Sequence, residues 1–351
     1  MTDHPTFGVE EEFLLVDPDD GQPVARNRAV AERADRAGVD LDLELTSCQV
    51  ETTSSVQSSA DDMRTELRRL RRVAADAAEG AGARLLAAGL PPSVPRAFPI
   101  TDTPRYRRIA ERFGMIAREQ GICGCHVHVA VPNREAGIRV SNRLRPWLPT
   151  LLALTANSAI YRSADTGHAS WRSVLWARWP SAGPPPHFAS EAEYDAMVET
   201  MRDAGAMLDE GQVYWDVRPS ADYPTVEVRV SDVVATVDEA VVYAVLVRAL
   251  VMTALDEEER GVASVPLTPH VLRASCWRAA RDGLDDEMAN RLLEHVQPAL
   301  IATGDDELVR DGVARVLVDG NGAVRQRAAW ARRNDVADVL AEVARATVAG
   351  L

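Results

Sequence analysis

Two short segments with a period of two constrain the fold of this chain most strongly. Residues 8–13 are Gly-Val-Glu-Glu-Glu-Phe, followed by Leu-Leu-Val, and residues 225–230 are Thr-Val-Glu-Val-Arg-Val. In both segments apolar or β-branched residues alternate with charged ones, which is typical of β-strands that have one polar face. The pattern therefore predicts a sheet that carries charged side chains along one surface.

The charged residues of these strands suit metal and phosphate binding. Alternate residues of a strand share a face, which places the Cα atoms of Glu10 and Glu12 about 6.8 Å apart. Glu227 and Arg229 share a face in the same way. Paired carboxylates can bind hard cations, and a carboxylate beside a guanidinium suits a metal and a phosphoryl group. Each segment taken alone could also be a solvated strand face with a surface ion pair, and that alternative stays open.

A third predicted strand, near residues 122–132, places His126 and His128 on one face. These histidines could join Cys123 and Cys125 in a soft-metal site, but zinc sites separate paired cysteines by two or more residues. Two core histidines paired with backbone groups are a second alternative, which stays open. The pattern favours metal and phosphate contacts by both histidines.

The carboxylates of a fourth segment complete the candidate site. Glu51 lies in a strand-like run over residues 41–53, and Glu44 lies seven residues before it. For Glu44, a merely exposed side chain stays open. Oxygen-rich ligation with one imidazole favours Mg²⁺ or Mn²⁺ over Zn²⁺. These carboxylates exceed what one ion needs when substrate phosphates also bind it, so two or three ions are predicted. The predicted ligands are Glu10, Glu12, Glu44, Glu51, Glu227 and His126.

Composition excludes several classes of phosphate enzyme. The sequence contains no lysine, so all 39 basic residues are arginine. P-loop, protein kinase and Schiff-base mechanisms each rely on a lysine and are therefore excluded. The net charge of −14 argues against nucleic acid or an anionic membrane as a partner. Phosphate must be held by arginine, histidine, metal and backbone amides.

The same features predict a cytoplasmic protein. The four cysteines are too few and too unevenly spaced for a disulfide framework. The first residues lack the basic and apolar regions of a signal peptide, and no run reaches the roughly 18 apolar residues of a membrane span. The sequence does not decide between a monomer and a homo-oligomer.

Helical patterns separate the predicted strands. The clearest covers residues 60–81, with Met63 and Leu67 on its apolar face and Arg71 among the arginines around the rest. Beyond about residue 265 the pattern is almost wholly helical. Strands with interspersed helices predict an α+β fold with a mostly antiparallel sheet. We treat residues 1–351 as a single catalytic domain with a helical C-terminal part.

Together these motifs resemble the bacterial type 2 glutamate–cysteine ligases, also called carboxylate–amine ligases, of the glutamine synthetase-like superfamily. The resemblance covers nearly the whole chain, and the motifs are specific only in combination. The matching segments are residues 8–13, 49–51 (Gln-Val-Glu), 124–129 (Gly-Cys-His-Val-His-Val), 156–158 (Ala-Asn-Ser), 165–167 (Asp-Thr-Gly), 215–219 (Trp-Asp-Val-Arg-Pro) and 225–229.

The resemblance implies a curved antiparallel sheet whose concave face holds ATP, metal ions and glutamate. It implies that Arg229 contacts the transferred phosphoryl group and that His128 lies near the nucleotide phosphates or the nucleophile. It assigns metal ligation to the set predicted above, namely Glu10, Glu12, Glu44, Glu51, His126 and Glu227.

The resemblance also indicates where the amino acids bind. Arg162 belongs to a segment similar to one that contacts the amino-acid substrate in related ligases. His168 departs from the family, because related sequences carry an aromatic hydroxyl or phenyl ring there. Arg172 and Arg218 are placed to meet carboxylates, although a loop arginine is commonly structural.

The implied activity is ATP-dependent coupling of L-glutamate to the amine of L-cysteine, through phosphorylation of the γ-carboxylate, with ADP and phosphate released. Rival functions are the same chemistry on another acid and amine, a guanidino-kinase-like phosphotransferase, and a metal-stabilised binding protein. No protein nucleophile is required. Cys125 is rejected as one, because adjacent strand residues point to opposite faces and His126 therefore points away from it.

Overall fold

The computed structural model describes residues 4–95, 97–265 and 267–351. Residues 1–3 lie outside the described residues, and the prediction that the N-terminus lacks a signal peptide falls partly on them. The strands are β1 (Phe7–Val16), β2 (Leu41–Leu43), β3 (Gln49–Thr53), β4 (Arg84–Leu86), β5 (Gly124–Ala130), β6 (Ile160–Tyr161), β7 (Ala164–Asp165), β8 (Val217–Pro219) and β9 (Thr225–Asp232).

Helices connect these strands and make up the C-terminal part. They are α1 (Asn27–Arg36), α2 (Ala60–Gly80), α3 (Pro104–Phe113), α4 (Met115–Arg118), α5 (Arg134–Leu144), α6 (Leu148–Leu154), α7 (Trp171–Trp176), α8 (Glu191–Asp203), α9 (Val237–Glu259), α10 (Pro269–Asp282), α11 (Asp286–Thr303), α12 (Asp306–Asp319), α13 (Gly322–Arg333) and α14 (Val336–Thr347). Beyond residue 268 the chain is almost wholly helical, in α10 to α14.

Within the described ranges, seven strands form one open antiparallel sheet in the order β2-β3-β1-β5-β9-β8, with β4 also paired to β1. The register sets Glu10 opposite His126 on β5 and opposite Thr53 on β3. It also sets His128 opposite Glu227 on β9. The predicted α+β fold with an antiparallel sheet is confirmed, and its central strands are those with the polar period-two pattern.

The two sheet faces differ as the alternation predicts. Val9, Glu11 and Phe13 of β1 point to the back face, where all three are buried. Helices α2 and α9 cover that face. Helix α9 is apolar around most of its circumference because it lies between the sheet and the C-terminal helices. Its first turn is fixed by a capping box between Thr236 and Glu239.

One prediction about α2 concerned the position of Arg71. The expectation that it lies outside the apolar face is wrong, because its side chain is fully buried. Its guanidinium donates to both carboxylate oxygens of Glu11, at 3.0 and 2.6 Å, and to the carbonyls of Val234 and Ala235. Glu11 points into the core and requires a buried partner of opposite charge, which Arg71 supplies. The pair connects β1 to α2 and to the segment that follows β9.

Several predicted boundaries shift where local turns intervene. The strand predicted over 41–53 is interrupted at residues 44–48, where the chain turns between β2 and β3. The helix predicted over 105–120 is divided at Gly114, which has a φ of +56° that favours glycine. Of the helices in the described ranges, none is both long and apolar enough to cross a membrane.

Candidate active site

Acidic and imidazole side chains of four strands meet on the front face of the sheet, together with Glu44 from the turn between β2 and β3. They form three overlapping groups, and in each group one ligand atom per residue lies within 4.8 Å of the others. Glu10 and Glu51 each belong to two groups. The groups are Glu10–Glu51–His126, Glu10–His128–Glu227 and Glu12–Glu44–Glu51. All six predicted metal ligands are thus brought together, and His128 joins them.

The donor set fits hard divalent cations. All donors are carboxylate oxygens or imidazole nitrogens, a combination that suits Mg²⁺ or Mn²⁺. Since Glu10 and Glu51 are shared between groups, neighbouring ions could share ligands. Five carboxylates in one cleft repel one another unless cations neutralise them. The chemistry of this face therefore fits two or three ions.

Glu10 lies at the centre of the face, between the two histidines. Its carboxylate oxygens are 3.2 Å from Nδ1 of His126 and 3.3 Å from Nε2 of His128. Burial opposes ionisation, but the contacts with both histidines outweigh it and hold the pKa of Glu10 below its usual value. Burial lowers the pKa of His128, but the contacts with Glu10 and Glu227 outweigh burial, so the pKa is raised above its usual value. Glu10 therefore stays charged without metal.

Glu44 and Glu51 behave in the opposite way. Burial, with the nearby charge of Glu12, raises the pKa of Glu44 to about 8. Burial and the carboxylates around it, those of Glu44 and Glu10 foremost, raise the pKa of Glu51 well above its ordinary value. Without cations these two groups therefore retain protons, and a cation that binds them must displace those protons.

The metal-free protein is consequently expected to lose stability as pH rises. The folded state keeps a proton on Glu51 that the unfolded chain releases above pH 4.5, so the free energy of unfolding falls as pH increases beyond that value. We expect Glu51→Gln to melt at a higher temperature than wild type in chelator, by a margin that grows from pH 5 to pH 8.

Thermal denaturation with and without Mg²⁺ checks this expectation. Mg²⁺ should raise the melting temperature of wild type at pH 8 and raise that of Glu51→Gln much less, because the variant lacks a ligand of two groups. An exposed carboxylate changed in the same way, Glu32→Gln, serves as the control. Equal Mg²⁺ increments in all three proteins would contradict the assignment of Glu51.

Glu227 lies between two arginines on the same face. Nε of Arg218 donates to Oε2 of Glu227 at 2.8 Å, and Arg229 donates to Oε1. Burial opposes ionisation, but Arg229 and Arg218 hold the pKa of Glu227 well below its usual value. Nη1 of Arg229 also lies 3.4 Å from Nδ1 of His126, and Nε of Arg229 has no hydrogen-bond partner among the described residues. Arg229 is therefore both anchored beside the ligands and free to donate.

Arg172 lies at one side of this face, beside a small cavity of about 80 Å³. The arginine is buried, and its guanidinium lies 5.8 Å from the ring centroid of Trp176. A Cβ atom at Gly124 would lie 2.5 Å from Arg172, so the glycine of the histidine motif allows the close approach of the guanidinium. The cavity extends to Glu12 and Arg229, which places Arg172 next to the predicted metal ligands.

Sequence reasoning missed other residues of this cavity. Gln120 precedes β5, Trp179 follows α7, and Tyr214 precedes β8, and all three side chains line it. Trp176 and Trp179 are three residues apart, a spacing that places both rings on one side of a helical turn. This spacing is the one local signal in the sequence that points to them. Nothing in the sequence near Gln120 distinguishes it from an ordinary polar loop residue.

A larger cavity of about 450 Å³ adjoins the other side of the site, at strand β8. Arg218 lines it and so links this cavity to Glu227. His128 lies nearby along the sheet: its Nδ1 is 3.0 Å from Oγ1 of Thr225. Tyr223, which is exposed, is edge-on to the His128 ring at 6.1 Å. This edge of the site is therefore open to a larger ligand.

Arg162 and His168 are not part of the cluster. Arg162 is exposed, pairs with Glu119 at 3.5 Å and lines a separate surface pocket. His168 lies between Trp171 and Trp277, with ring centroids 5.0 and 6.2 Å away. Neither residue lines the cavity beside Arg172. Their predicted contacts with substrate stay predictions.

The cysteines take no part in this face. Cys125 is buried on the back of the sheet, and burial raises its pKa well above the ordinary value of a thiol. Cys123 is also buried, with its Sγ 3.3 Å from Nε2 of Gln49. No cysteine belongs to the three ligand groups found in the described ranges. The geometry thus gives no support to a soft-metal site or to Cys125 as a nucleophile.

Known proteins are similar to this chain in sequence. A profile described as Glutamate-cysteine ligase family 2 (GCS2) matches residues 6–342. A Mycolicibacterium smegmatis protein named "Putative glutamate--cysteine ligase 2-3" is 64% identical, over 99% of this chain and 100% of the relative. A Nocardia farcinica protein named "Putative glutamate--cysteine ligase 2-1" is 56% identical, over 99% of this chain and 94% of the relative.

Solved structures show the same fold at low identity. A glutamate–cysteine ligase from Francisella tularensis, solved in complex with AMP, matches with a TM-score of 0.67 and 14% identity, over 98% of this chain and 88% of that chain. A bifunctional glutathione synthetase from Pasteurella multocida matches with a TM-score of 0.71 and 14% identity. The match covers 99% of this chain but 52% of that one, so this chain corresponds to about half of that protein. By its sequence, the chain belongs to glutamate–cysteine ligase family 2.

Proposed function

We propose that this protein is an ATP-dependent ligase that phosphorylates the γ-carboxylate of L-glutamate and couples it to the amine of L-cysteine. The observation that carries this proposal is the placement of three overlapping carboxylate–imidazole groups and Arg229 on one sheet face. That combination handles a phosphoryl group in transit, and ligases of this family must transfer one. The products are γ-glutamylcysteine, ADP and phosphate.

Each residue has a proposed part in the transfer. The six predicted ligands, with His128 beside them, would hold Mg²⁺ ions, which neutralise phosphate charge and polarise the phosphoryl group. Arg229 donates to the phosphoryl oxygens as their charge redistributes. Glu227 orients Arg229 through the hydrogen bond between them. A glutamate carboxylate oxygen attacks the γ-phosphorus, and ADP leaves.

The second half-reaction forms the amide. The amine nitrogen attacks the carbonyl carbon of the acyl phosphate, phosphate leaves, and the nitrogen loses a proton. We assign the larger cavity at β8 to the nucleotide, because Arg218 lines it and connects it to Glu227. His128, whose ring lies at that edge of the sheet, would then contact the phosphates.

ATP should be converted to ADP and phosphate, and not to AMP and pyrophosphate. Acyl-phosphate chemistry breaks the bond to the γ-phosphorus, so the ADP formed should equal the γ-glutamylcysteine formed. The check is product quantification by chromatography and mass spectrometry, with glutamate and a panel of amines in Mg²⁺. Stoichiometric pyrophosphate would instead show adenylation. A stable phosphoguanidine would support the kinase-like rival.

We place the whole reaction in one catalytic domain in the cytoplasm. The largest core cluster includes side chains of β1, β5 and β9 together with α9 and the C-terminal helices α10 to α12, which supports a single unit. The four cysteines are free and buried, in keeping with a compartment where thiols are reduced.

A further inference from the structure

A buried ion pair lies behind the sheet, at the strands that carry the predicted metal ligands. The side chains of Arg71 on α2 and Glu11 on β1 are both 0% exposed. The guanidinium donates through Nε and Nη2 to both carboxylate oxygens of Glu11, at 3.0 and 2.6 Å. It also donates to the carbonyls of Val234 and Ala235, at 3.0 and 3.1 Å. All three of its nitrogens are therefore used, and one side chain bonds to two separate segments.

These two segments adjoin the residues of the front face. Glu11 lies between Glu10 and Glu12, and because strand residues alternate, its side chain points back while theirs point forward. The two carbonyls belong to the segment that follows β9, the strand that carries Glu227 and Arg229. Strand β5 lies between β1 and β9, so these two strands do not pair with each other. The guanidinium thus connects, from behind, two strands that share no backbone ladder.

The pairing of the intervening strand is irregular at the same level. Cys125 of β5 pairs with Glu11 on one side and with Ser231 on the other. The register with β9 then shifts at His126, so that residues 229–230 of β9 face this single residue. Such a bulge disrupts the ladder locally and bends the strand. Backbone pairing therefore fixes the separation of β1 and β9 less firmly here, and the buried guanidinium supplies a constraint at that row.

We propose that Arg71 and Glu11 are positioning residues that fix the predicted metal ligands of β1 relative to Glu227 and Arg229 on β9. The inference rests on the proposed function, since it takes the front-face residues as metal ligands. The pair lies behind the sheet and cannot touch a metal ion or a substrate, so it can act on them only through geometry. Apolar side chains of similar volume often stabilise a core as well as a buried ion pair does, so stability alone does not account for it.

The test measures Mn²⁺ binding to the metal-free full-length protein, with free Mn²⁺ followed by electron paramagnetic resonance. Arg71→Lys keeps the charge opposite the carboxylate but loses the planar fork that reaches four acceptors. The matched control is Arg143→Lys. Arg143 on α5 is also buried and donates to Glu257 and Glu258 and to a backbone carbonyl. None of these control residues belongs to the three ligand groups found in the described ranges.

Both variants should melt at a lower temperature than wild type, because each loses hydrogen bonds of a buried arginine. At a temperature where all three proteins are folded, Arg71→Lys should bind Mn²⁺ on the order of 10-fold more weakly than wild type, as is typical when a group that orients metal ligands is removed. Arg143→Lys should bind Mn²⁺ as wild type does. In the ADP-release assay, the Mg²⁺ concentration for half-maximal turnover should rise by a similar factor in Arg71→Lys alone.

A second variant keeps the test decisive if Arg71→Lys folds poorly. Glu11→Leu combined with Arg71→Met replaces the pair with apolar side chains and leaves no unpaired buried charge. It also removes the donors to the carbonyls of Val234 and Ala235, so the connection between the strands is lost. This double variant should show the same weakening of Mn²⁺ binding.

The outcomes separate this inference from the proposed function. Wild-type Mn²⁺ affinity in the folded Arg71→Lys or double variant, or equal weakening in Arg143→Lys, would overturn the inference and leave the ligase function standing. Weakened Mn²⁺ binding confined to the Arg71 variants, with no ADP from any acid and amine, would support the inference and overturn the ligase function. A wild-type protein that binds no Mn²⁺ would overturn the metal ligands and the inference together.

Discussion

Replacing Glu10 with glutamine is expected to abolish most ligase activity while the fold stays intact. Glu10 belongs to two of the three ligand groups and contacts both histidines, so the change removes charge from two sites at once. The loss should exceed about 100-fold in kcat, since even one lost contact to a developing charge costs on the order of 10²–10³. Glutamine has the same size, and the variant relieves repulsion around Glu51.

Two measurements separate this loss from a folding defect. Circular dichroism of Glu10→Gln should match wild type, and the rise in melting temperature on adding Mg²⁺ should shrink markedly. The control is Glu32→Gln, an exposed glutamate on α1 that changes the net charge equally and should behave as wild type. A Glu10→Gln protein with a native spectrum and near wild-type turnover would remove Glu10 from the metal site.

The sequence was sufficient to predict which side chains share the front face. Side chains of a strand alternate strictly, so Glu10 and Glu12, and likewise His126 and His128, must point the same way once each strand is recognised. The pairing that sets Glu10 opposite His126 depends on strand order and register. Strand order and register are decided by long-range packing, so no single segment contains that information.

The helix prediction failed at Arg71 for a similar reason. Apolar spacing placed Met63 and Leu67 on the apolar face, and both are buried, but it placed Arg71 with the arginines around the rest of α2. Arg71 is buried because Glu11, sixty residues away along the chain, points into the core and needs its charge balanced. A buried ion pair of this kind is visible only when both elements are in place.

The cavity residues show the same limit. Gln120, Trp179 and Tyr214 come from three loops or helix ends that converge only in the folded chain. The predictions for Arg162 and His168 came instead from family resemblance, and the structure places both away from the ligand groups. Local pattern therefore predicted the strand residues, whereas the loop residues required the fold.

Arg229→Ala is expected to lower kcat on the order of 10²–10³ and to change the KM for ATP little. The guanidinium is held by Glu227 and leaves Nε unpaired, so it can donate to charge that develops as the phosphoryl group moves. Glu227 keeps Arg218 as a partner in the variant, and the ligand groups lose no member. The Mg²⁺-dependent rise in melting temperature should therefore be retained.

Arg229→Lys tests whether the planar fork matters beyond its charge. An ammonium restores the charge without paired donors, so this variant should recover only part of the lost turnover. Arg291→Ala, an exposed arginine on α11, controls for the change in net charge. An Arg229→Ala enzyme with normal kcat and a raised KM for ATP would make Arg229 an anchor for the bound nucleotide. The charge of the moving phosphoryl group would then be met by the metal ions and the backbone, because the chain has no lysine to take that part.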